Sequence, residues 1–163
     1  MSEYSYLDPY SSINPLVDRN IQWLVDYLAT GLNYAIGLHD STEIAVRSTK
    51  SYDAILADLS AFPLLKAYRV EQTSDMSLTY KTTVCISYAL VLPKQDQLPG
   101  IMQWVATNIT VMLTYLNAFD RGCPFQVDAA DIKHEFRIMV GDLGQPLYTY
   151  LKVSFKAIET HGN

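Results

Sequence analysis

Two pairs of long alternating patterns, separated by one amphipathic helical pattern, constrain the fold of this chain more than any other feature. Apolar and polar residues alternate at about 64 to 92 and again at about 131 to 158, and a helical period runs from about 97 to 117 between them. Alternation over this length is typical of strands that bury one face. The second half of the chain therefore predicts two strand pairs that bracket a helix.

A helical pattern also precedes the strands, at about 15 to 36. Asn14 is a candidate N-cap, Pro15 suits the first helical position and Asp18 suits the first turn. Gly31 lowers helix propensity within this pattern and indicates a close approach or a small bend. The apolar residues that recur at spacings of three and four are Ile21, Leu24, Val25, Leu28, Leu32 and Ala35.

The strand patterns assign side chains to two faces of the predicted sheet. A short helix from Ser51 to Leu59 is expected before Pro63, and the first strand follows it. The residues expected on the apolar faces are Leu64, Tyr68 and Val70 in the first strand, Tyr80, Val84, Ile86, Tyr88, Leu90 and Leu92 in the second, Ile132, His134, Phe136, Ile138 and Val140 in the third, and Leu147, Thr149, Leu151, Val153, Phe155 and Ala157 in the fourth.

These elements predict a single α+β domain at 13–160, after a flexible N-terminal arm at 1–12. The expected fold is a four-stranded, mainly antiparallel sheet with helices packed on one face. The order along the chain is helix, short helix, strand, strand, helix, strand, strand. A chain of 163 residues is long enough to bury one core without disulfides or metals.

The composition excludes several classes of protein. A net charge of −5 and a pI near 5.0 disfavour direct binding to nucleic acid, which needs clustered Lys and Arg against the phosphates. Cys85 and Cys123 are too few for a disulfide framework and are interpreted as reduced thiols in a cytosolic setting. Because no apolar run approaches the ~20 residues that a membrane span needs, the chain is expected to be soluble.

No group of catalytic or metal-ligating residues accompanies these elements in the sequence. His134 is interpreted as a packed, hydrogen-bonded core residue, because it lies on the apolar side of a strand pattern. His39 and His161 have no partner at metal-ligand spacing, and Cys123 is interpreted as a plain turn cysteine. The sequence therefore predicts neither a metal nor a cofactor.

A pair of aspartates and a pair of glycines are also interpreted as turn residues and not as parts of a catalytic or phosphate-binding site. Asp128 and Asp131 are interpreted as solvated turn residues rather than an acid–base pair or a hard-metal site. Gly141 and Gly144 lie in a predicted hairpin turn, whereas phosphate-binding glycines lie between a strand and a helix. An enzyme is therefore not expected.

The aromatic residues suggest assembly. The chain has 12 tyrosines and two tryptophans, and aromatic side chains outside a core are enriched at interfaces. The candidate interface residues lie in the arm, at the first hairpin tip and on the outer face of the last strand, and they are Tyr4, Tyr6, Tyr10, Met76, Tyr148 and Tyr150. The alternative is that the arm lies on its own domain and the outer tyrosines only pair across strands.

Five segments carry a resemblance to a known family. They are a leading helix, "FPLLKAYRV" at the first strand, "LTYKTTVCISYALVLP" as the long second strand, the helix "LPGIMQWVATNITVMLTYL", and the final hairpin "DIKHEFRIMVGDLGQPLYTYLKVSFKAI". In this order they resemble the tail terminator, or tail completion, proteins of tailed bacteriophages. The resemblance covers about residues 14 to 158 in pattern.

That resemblance implies a structural virion protein of the tail or neck, assembled in the host cytoplasm. Such a protein forms a homo-oligomeric ring, expected to be a hexamer, which caps the tail tube. The implied partners are the tail tube protein, the sheath protein where the tail is contractile, and neck or connector proteins, while DNA only passes through the lumen and no membrane is involved. Another neck or tail completion protein of similar fold is an alternative.

Two other classes remain open. A small α+β module that binds a ligand or peptide would need an open apolar pocket, for which Trp104 and Tyr88 are the candidate lining residues. An enzyme would use His134 or Cys123.

Overall fold

The computed structural model of this protein describes residues 18–50, 62–74, 79–90, 98–118, 122–140 and 146–160. In these ranges the chain forms an α+β fold of two α-helices and one mixed sheet of six strands. The helices are α1 (Arg19–Leu38) and α2 (Leu98–Ala118), and the strands are β1 (Ser48–Lys50), β2 (Leu64–Ser74), β3 (Thr79–Leu90), β4 (Phe125–Val127), β5 (Lys133–Val140) and β6 (Pro146–Thr160).

The sheet has β3 and β6 at its centre. Its order is β1-β2-β3-β6-β4, and β5 pairs with β6 on the same side as β4. Only the β1–β2 pair is parallel among the described strands. Between β4 and β5 the chain leaves the ladder at 128–132, opposite only Phe155 and Lys156 of β6. β4 and β5 therefore pair with successive parts of β6 and together occupy one strand position at this side of the sheet.

Helix α1 begins at an aspartate. The Asp18 backbone is extended, and its Oδ1 accepts a hydrogen bond from the backbone N–H of Ile21 at 3.2 Å, which satisfies one free donor of the first turn. The predicted N-cap at Asn14 is therefore wrong, because Asp18 holds that position. Asn14 and Pro15 lie outside the described residues. The buried stripe of α1 consists of Ile21, Leu24, Val25, Leu28, Leu32 and Ile36, so five of the six predicted members are confirmed and Ile36 takes the place of Ala35, which is only half-buried.

Both helices pack on one face of the sheet, which we call the helix face. The buried stripe of α1 shares a single core with Val105, Ile109 and Leu113 of α2. The sheet residues in that core include Leu65, Ala67, Val84, Ile86, Tyr88, Leu90, Leu151, Val153, Phe155 and Ala157. Each large apolar side chain that is fully buried here contributes roughly 1.5–3 kcal/mol. The predicted alternation in the second and fourth strands is confirmed over these residues.

The sheet contains six strands, whereas the sequence predicted four. The additional strands, β1 and β4, have only three residues each, too few to display a period of two. β1 also makes the sheet mixed, because it runs parallel to β2. The short helix expected from Ser51 lies outside the described residues.

Two predicted apolar faces are wrong in part. In β2 the helix face carries Leu65 and Ala67, whereas Leu64, predicted for the apolar face, lies on the opposite face with Ala89. The pairing register also shifts between Arg69 and Glu71, so Val70 leaves the ladder and is 61% exposed. In β5, Phe136 and Ile138 pair with helix-face residues of β6, yet they are 47% and 59% exposed. The helices do not cover them, because α2 lies over β6 and β4.

The two helices approach closely at Gly31, which confirms the close approach predicted there. A Cβ atom added at Gly31 would lie 2.5 Å from Sδ of Met112 in α2, well inside van der Waals contact. Next to this site, the Tyr27 hydroxyl donates to the Met112 carbonyl at 3.3 Å. At Gly37, near the end of the same helix, an added Cβ would meet no atom within 4 Å.

We therefore expect two glycine-to-alanine substitutions in one helix to differ. Gly37→Ala should raise the free energy of unfolding by about 0.5–1 kcal/mol, because alanine is the better helix former and has room there. The free energy of unfolding of Gly31→Ala should be at least about 1 kcal/mol lower than that of Gly37→Ala, since Met112 must move. Urea unfolding followed by circular dichroism measures both variants. Equal stabilisation by both would contradict the close approach.

Candidate functional site

A buried ion pair lies where α1 begins over the sheet. Glu159, near the end of β6, has no exposed surface. The guanidinium of Arg69 donates from Nε to Oε1 of Glu159 at 2.8 Å and from Nη2 to Oδ1 of Asp18 at 3.1 Å. It makes a second hydrogen bond to each of these carboxylates. Arg69 therefore joins the N-cap of α1 to β6 through two bidentate ion pairs.

Three uncharged side chains also donate hydrogen bonds to Glu159. Its carboxylate accepts from Asn20 Nδ2 at 2.8 Å, Thr82 Oγ1 at 3.0 Å and Gln72 Nε2 at 3.1 Å. Burial disfavours the charged guanidinium, but its hydrogen bonds to Glu159 and Asp18 outweigh that effect and raise the pKa of Arg69. We call these six residues the Arg69–Glu159 cluster. Because donors surround Glu159 in the core, this cluster fixes structure and does not offer a base to a substrate.

Sequence reasoning missed this cluster. The predicted fourth strand ended at about 158, one residue too early to include Glu159. The available signal was the alternation itself, since Glu159 follows Phe155 and Ala157 at every second position and so points to the helix face. An ionised carboxylate at such a position requires a buried cation, and Arg69 follows Leu65 and Ala67 at every second position of β2, on the same face.

The two residues considered for catalysis each make local hydrogen bonds. His134 is exposed, and its Nε2 lies 2.7 Å from Oγ1 of Thr110 in α2. The predicted hydrogen bond is present, but the prediction of a packed core residue is wrong, because the His134 side chain is exposed where α2 ends its cover of the sheet. Cys123 is half-buried in a turn, where its Sγ donates to the Phe125 carbonyl at 3.1 Å and accepts from the Phe125 N–H.

The two turn aspartates act as expected. Asp128 caps the 3₁₀ helix Ala129–Asp131 by accepting from the Ala130 N–H at 3.1 Å. Asp131 pairs with Lys156 at 3.2 Å across the excursion between β4 and β5. Among the described residues, no group of three or more His, Cys, Asp or Glu side chains is placed to hold a metal ion.

An apolar cavity of about 340 Å³ lies between the end of α1 and the start of α2. His39 and Trp104 meet edge to face on its wall, with ring centroids 6.0 Å apart. The other lining residues are Ile36, Ser41, Ile44, Gly100 and Ile101. Tyr88 does not line the cavity. Its ring is fully buried, its hydroxyl donates to the Ile44 carbonyl at 2.5 Å, and burial raises the pKa of that hydroxyl.

A second, polar groove of about 530 Å³ crosses the outer face of the sheet. Its charged lining residues are Glu71, Lys81, Asp128 and Lys156. Two acidic and two basic side chains leave this groove without a dominant sign of charge. It therefore lacks the concentrated field with which a site attracts a strongly charged ligand.

Of the six predicted interface residues, only Tyr150 has a described side chain. It is half-buried on the outer face and packs against Phe62, Leu64 and Ala89. Tyr148 lies in β6 opposite Met139, and its side chain is outside the described residues, as are Tyr4, Tyr6, Tyr10 and Met76. Their role at an interface stays a prediction.

Large apolar side chains are exposed on both helices. Tyr34 and Leu38, one turn apart on α1, are 72% and 67% exposed, and Val111 and Tyr115 are about half exposed on α2. Each helix thus exposes two apolar side chains one turn apart, Tyr34 with Leu38 and Val111 with Tyr115.

No protein-family model matches the chain, and no curated protein matches its sequence. Within the part of the chain that the structure describes, neither helix is both long and apolar enough to cross a membrane.

The Arg69–Glu159 pair gives a test based on charge. Arg69→Met should lower the free energy of unfolding by about 3–5 kcal/mol, because it leaves a buried carboxylate without its cation. Adding Glu159→Gln removes that charge, so the double variant should be more stable than Arg69→Met alone. Chemical denaturation of wild type, both single variants and the double variant measures this coupling. If the stability losses of the two single variants simply add in the double variant, Arg69 does not stabilise the buried charge.

Proposed function

We propose that this protein is a structural component of a bacteriophage neck or tail, which forms a ring that caps the tail tube and joins it to the head-proximal neck. The observation that carries the proposal is the order of the long elements. A helix, two paired strands, a second helix and two more paired strands follow one another, with both helices on one face. This is the order on which the resemblance to tail terminator proteins rests.

The finer fold assignment belongs to the same proposal. The four long strands β2, β3, β6 and β5 lie side by side, and each is antiparallel to its neighbours among them. We interpret them as the four-stranded sheet that the alternating patterns predict. On this interpretation β1 and β4 are additions at the two edges.

The surface chemistry is compatible with assembly. Glu159 in the core is held in a structural pair with Arg69, while apolar side chains such as Tyr34 and Leu38 remain exposed on the helices. The proposed partners are other copies of the chain in a hexameric ring, the tail tube protein, the sheath protein of a contractile tail, and neck or connector proteins. Six copies of a chain of net charge −5 carry −30, and an acidic ring would not retain DNA that passes through it.

This proposal predicts rings and capped tubes. Purified full-length protein should form ring-shaped particles with the mass of about six copies, as the proposed stoichiometry requires, and should bind the ends of tail tubes. Light scattering and negative-stain electron microscopy, with and without tubes, measure these properties. A chain that remains monomeric and never caps a tube would contradict the proposal.

A variant that lacks 1–12 provides the matched comparison. It should cap tubes less well and unfold at nearly the same temperature as the full chain, because the helix cap at Asp18 is retained. Loss of folding would show that the arm belongs to the core.

A ligand-binding module is the second candidate, and the 340 Å³ cavity at Trp104 favours it. It predicts saturable binding of an apolar fluorescent probe, anilinonaphthalene sulfonate, to the folded chain. Ile101→Trp should abolish that binding by filling the cavity, while Val111→Trp, at an exposed position on the same helix, should not. Titration of probe fluorescence measures both, and absence of saturable binding to the wild type removes this candidate.

A further inference from the structure

Strand β5 is an edge of the sheet with an unusual combination of length and composition. It has eight residues, and among the described strands only β6 pairs with it. On an edge strand, every second residue directs its backbone N–H and C=O away from the sheet. Proteins usually protect such an edge by making it short, bulged or charged on both faces. β5 is protected on one face only.

The two faces of β5 differ in chemistry. On the helix face, Phe136 and Ile138 are 47% and 59% exposed. On the outer face, Glu135 and Arg137 form an exposed ion pair, with 2.6 Å between Oε1 and Nη2. Exposed apolar side chains beside backbone groups that pair with no other described strand favour the addition of another strand.

We infer that two copies of this chain join through antiparallel β5–β5 pairing centred on Phe136, which forms one continuous sheet. In this register Phe136 lies opposite Phe136 of the second copy, and His134 lies opposite Ile138. On the outer face each Glu135 lies opposite an Arg137. The pairing thus buries the exposed apolar side chains and adds opposite charges across the two strands.

The neighbouring registers that keep the same faces together are unfavourable. Centring the pair on Glu135 places Glu135 against Glu135 and Lys133 against Arg137, so like charges meet. Centring it on Arg137 places the two Arg137 side chains against each other. Like charges directly opposite one another destabilise a strand pair. The charge pattern of β5 therefore specifies one register out of three.

The proposed pair does not depend on the ring or on a role in a phage. It is isologous, so the same surface of each copy is used and the contact closes at two copies. A ring would use other surfaces, such as the exposed residues of the helices. Failure of one proposal therefore leaves the other intact.

Charge exchange between copies tests the register directly. Glu135→Arg and Arg137→Glu should each weaken dimerisation by roughly tenfold or more, because like charges then meet across the pair. An equimolar mixture of the two single variants should recover the affinity of the wild type, since each arginine then faces a glutamate of the other copy. Within each variant chain the two side chains still repel, so recovery can only come from contact between copies.

Sedimentation velocity over a concentration series measures the dissociation constants of the wild type, each variant and the mixture. Circular dichroism should be unchanged, because both side chains are exposed. A wild-type chain that stays monomeric at its solubility limit would overturn the inference. A mixture that associates no better than either variant alone would also overturn it.

A cysteine at the centre of the pair gives a second, independent measurement. Phe136→Cys should form a disulfide-linked dimer under diamide, because directly opposite Cα atoms lie roughly 4.5–5.5 Å apart. His134→Cys is the matched control, since residue 134 of each copy lies opposite Ile138 of the other copy and the two cysteines do not face each other. Both variants retain Cys85 and Cys123, so background cross-linking is equal. Equal cross-linking of the two variants on a non-reducing gel would contradict this register.

Discussion

The buried carboxylate of Glu159 sets the position of much else in this molecule. A carboxylate with no exposed surface is stable only with a cation and a full set of donors, and Arg69 with three polar side chains supplies them. Arg69 also binds Asp18, which caps α1. The start of the helix, the middle of β2 and the end of β6 are therefore held at one point. This arrangement fixes where α1 crosses the sheet and which of its faces meets the core.

The position of the second helix follows from the first. Because Gly31 lets α1 and α2 approach at Met112, α2 lies beside α1 and over β6 and β4. It touches β5 through the hydrogen bond between Thr110 and His134. The apolar residues farther along β5 extend beyond that contact. The exposed edge of the sheet is thus a consequence of close helix packing and not of a missing hydrophobic pattern.

The helices and strands that the sequence predicts correctly are those whose hydrophobic period extends over many residues. Both helices and all four long strands lie close to their predicted positions, and the central alternation of β3 and β6 was assigned to the correct face. Periodicity cannot show how far helices cover a sheet, so it placed Phe136 and His134 in the core. It also cannot detect strands as short as β1, or a bulge such as the one at Val70. The Arg69–Glu159 cluster joins residues 90 apart along the chain, and no local pattern links them.

The two edges of the sheet are unequal, and this inequality limits how the chain can associate. On the other side of the sheet, β1 has only three residues and covers β2 at 64–66, and the rest of β2 carries a bulge at Val70, so this side is a poor template for another strand. The β5 edge is longer and apolar on one face. Head-to-tail addition of strands would need two good edges, and such addition continues without limit when it does not close. Because β5 is the better of these edges, strand addition favours β5 against itself, which closes at two copies and would bury the exposed Phe136 and Ile138.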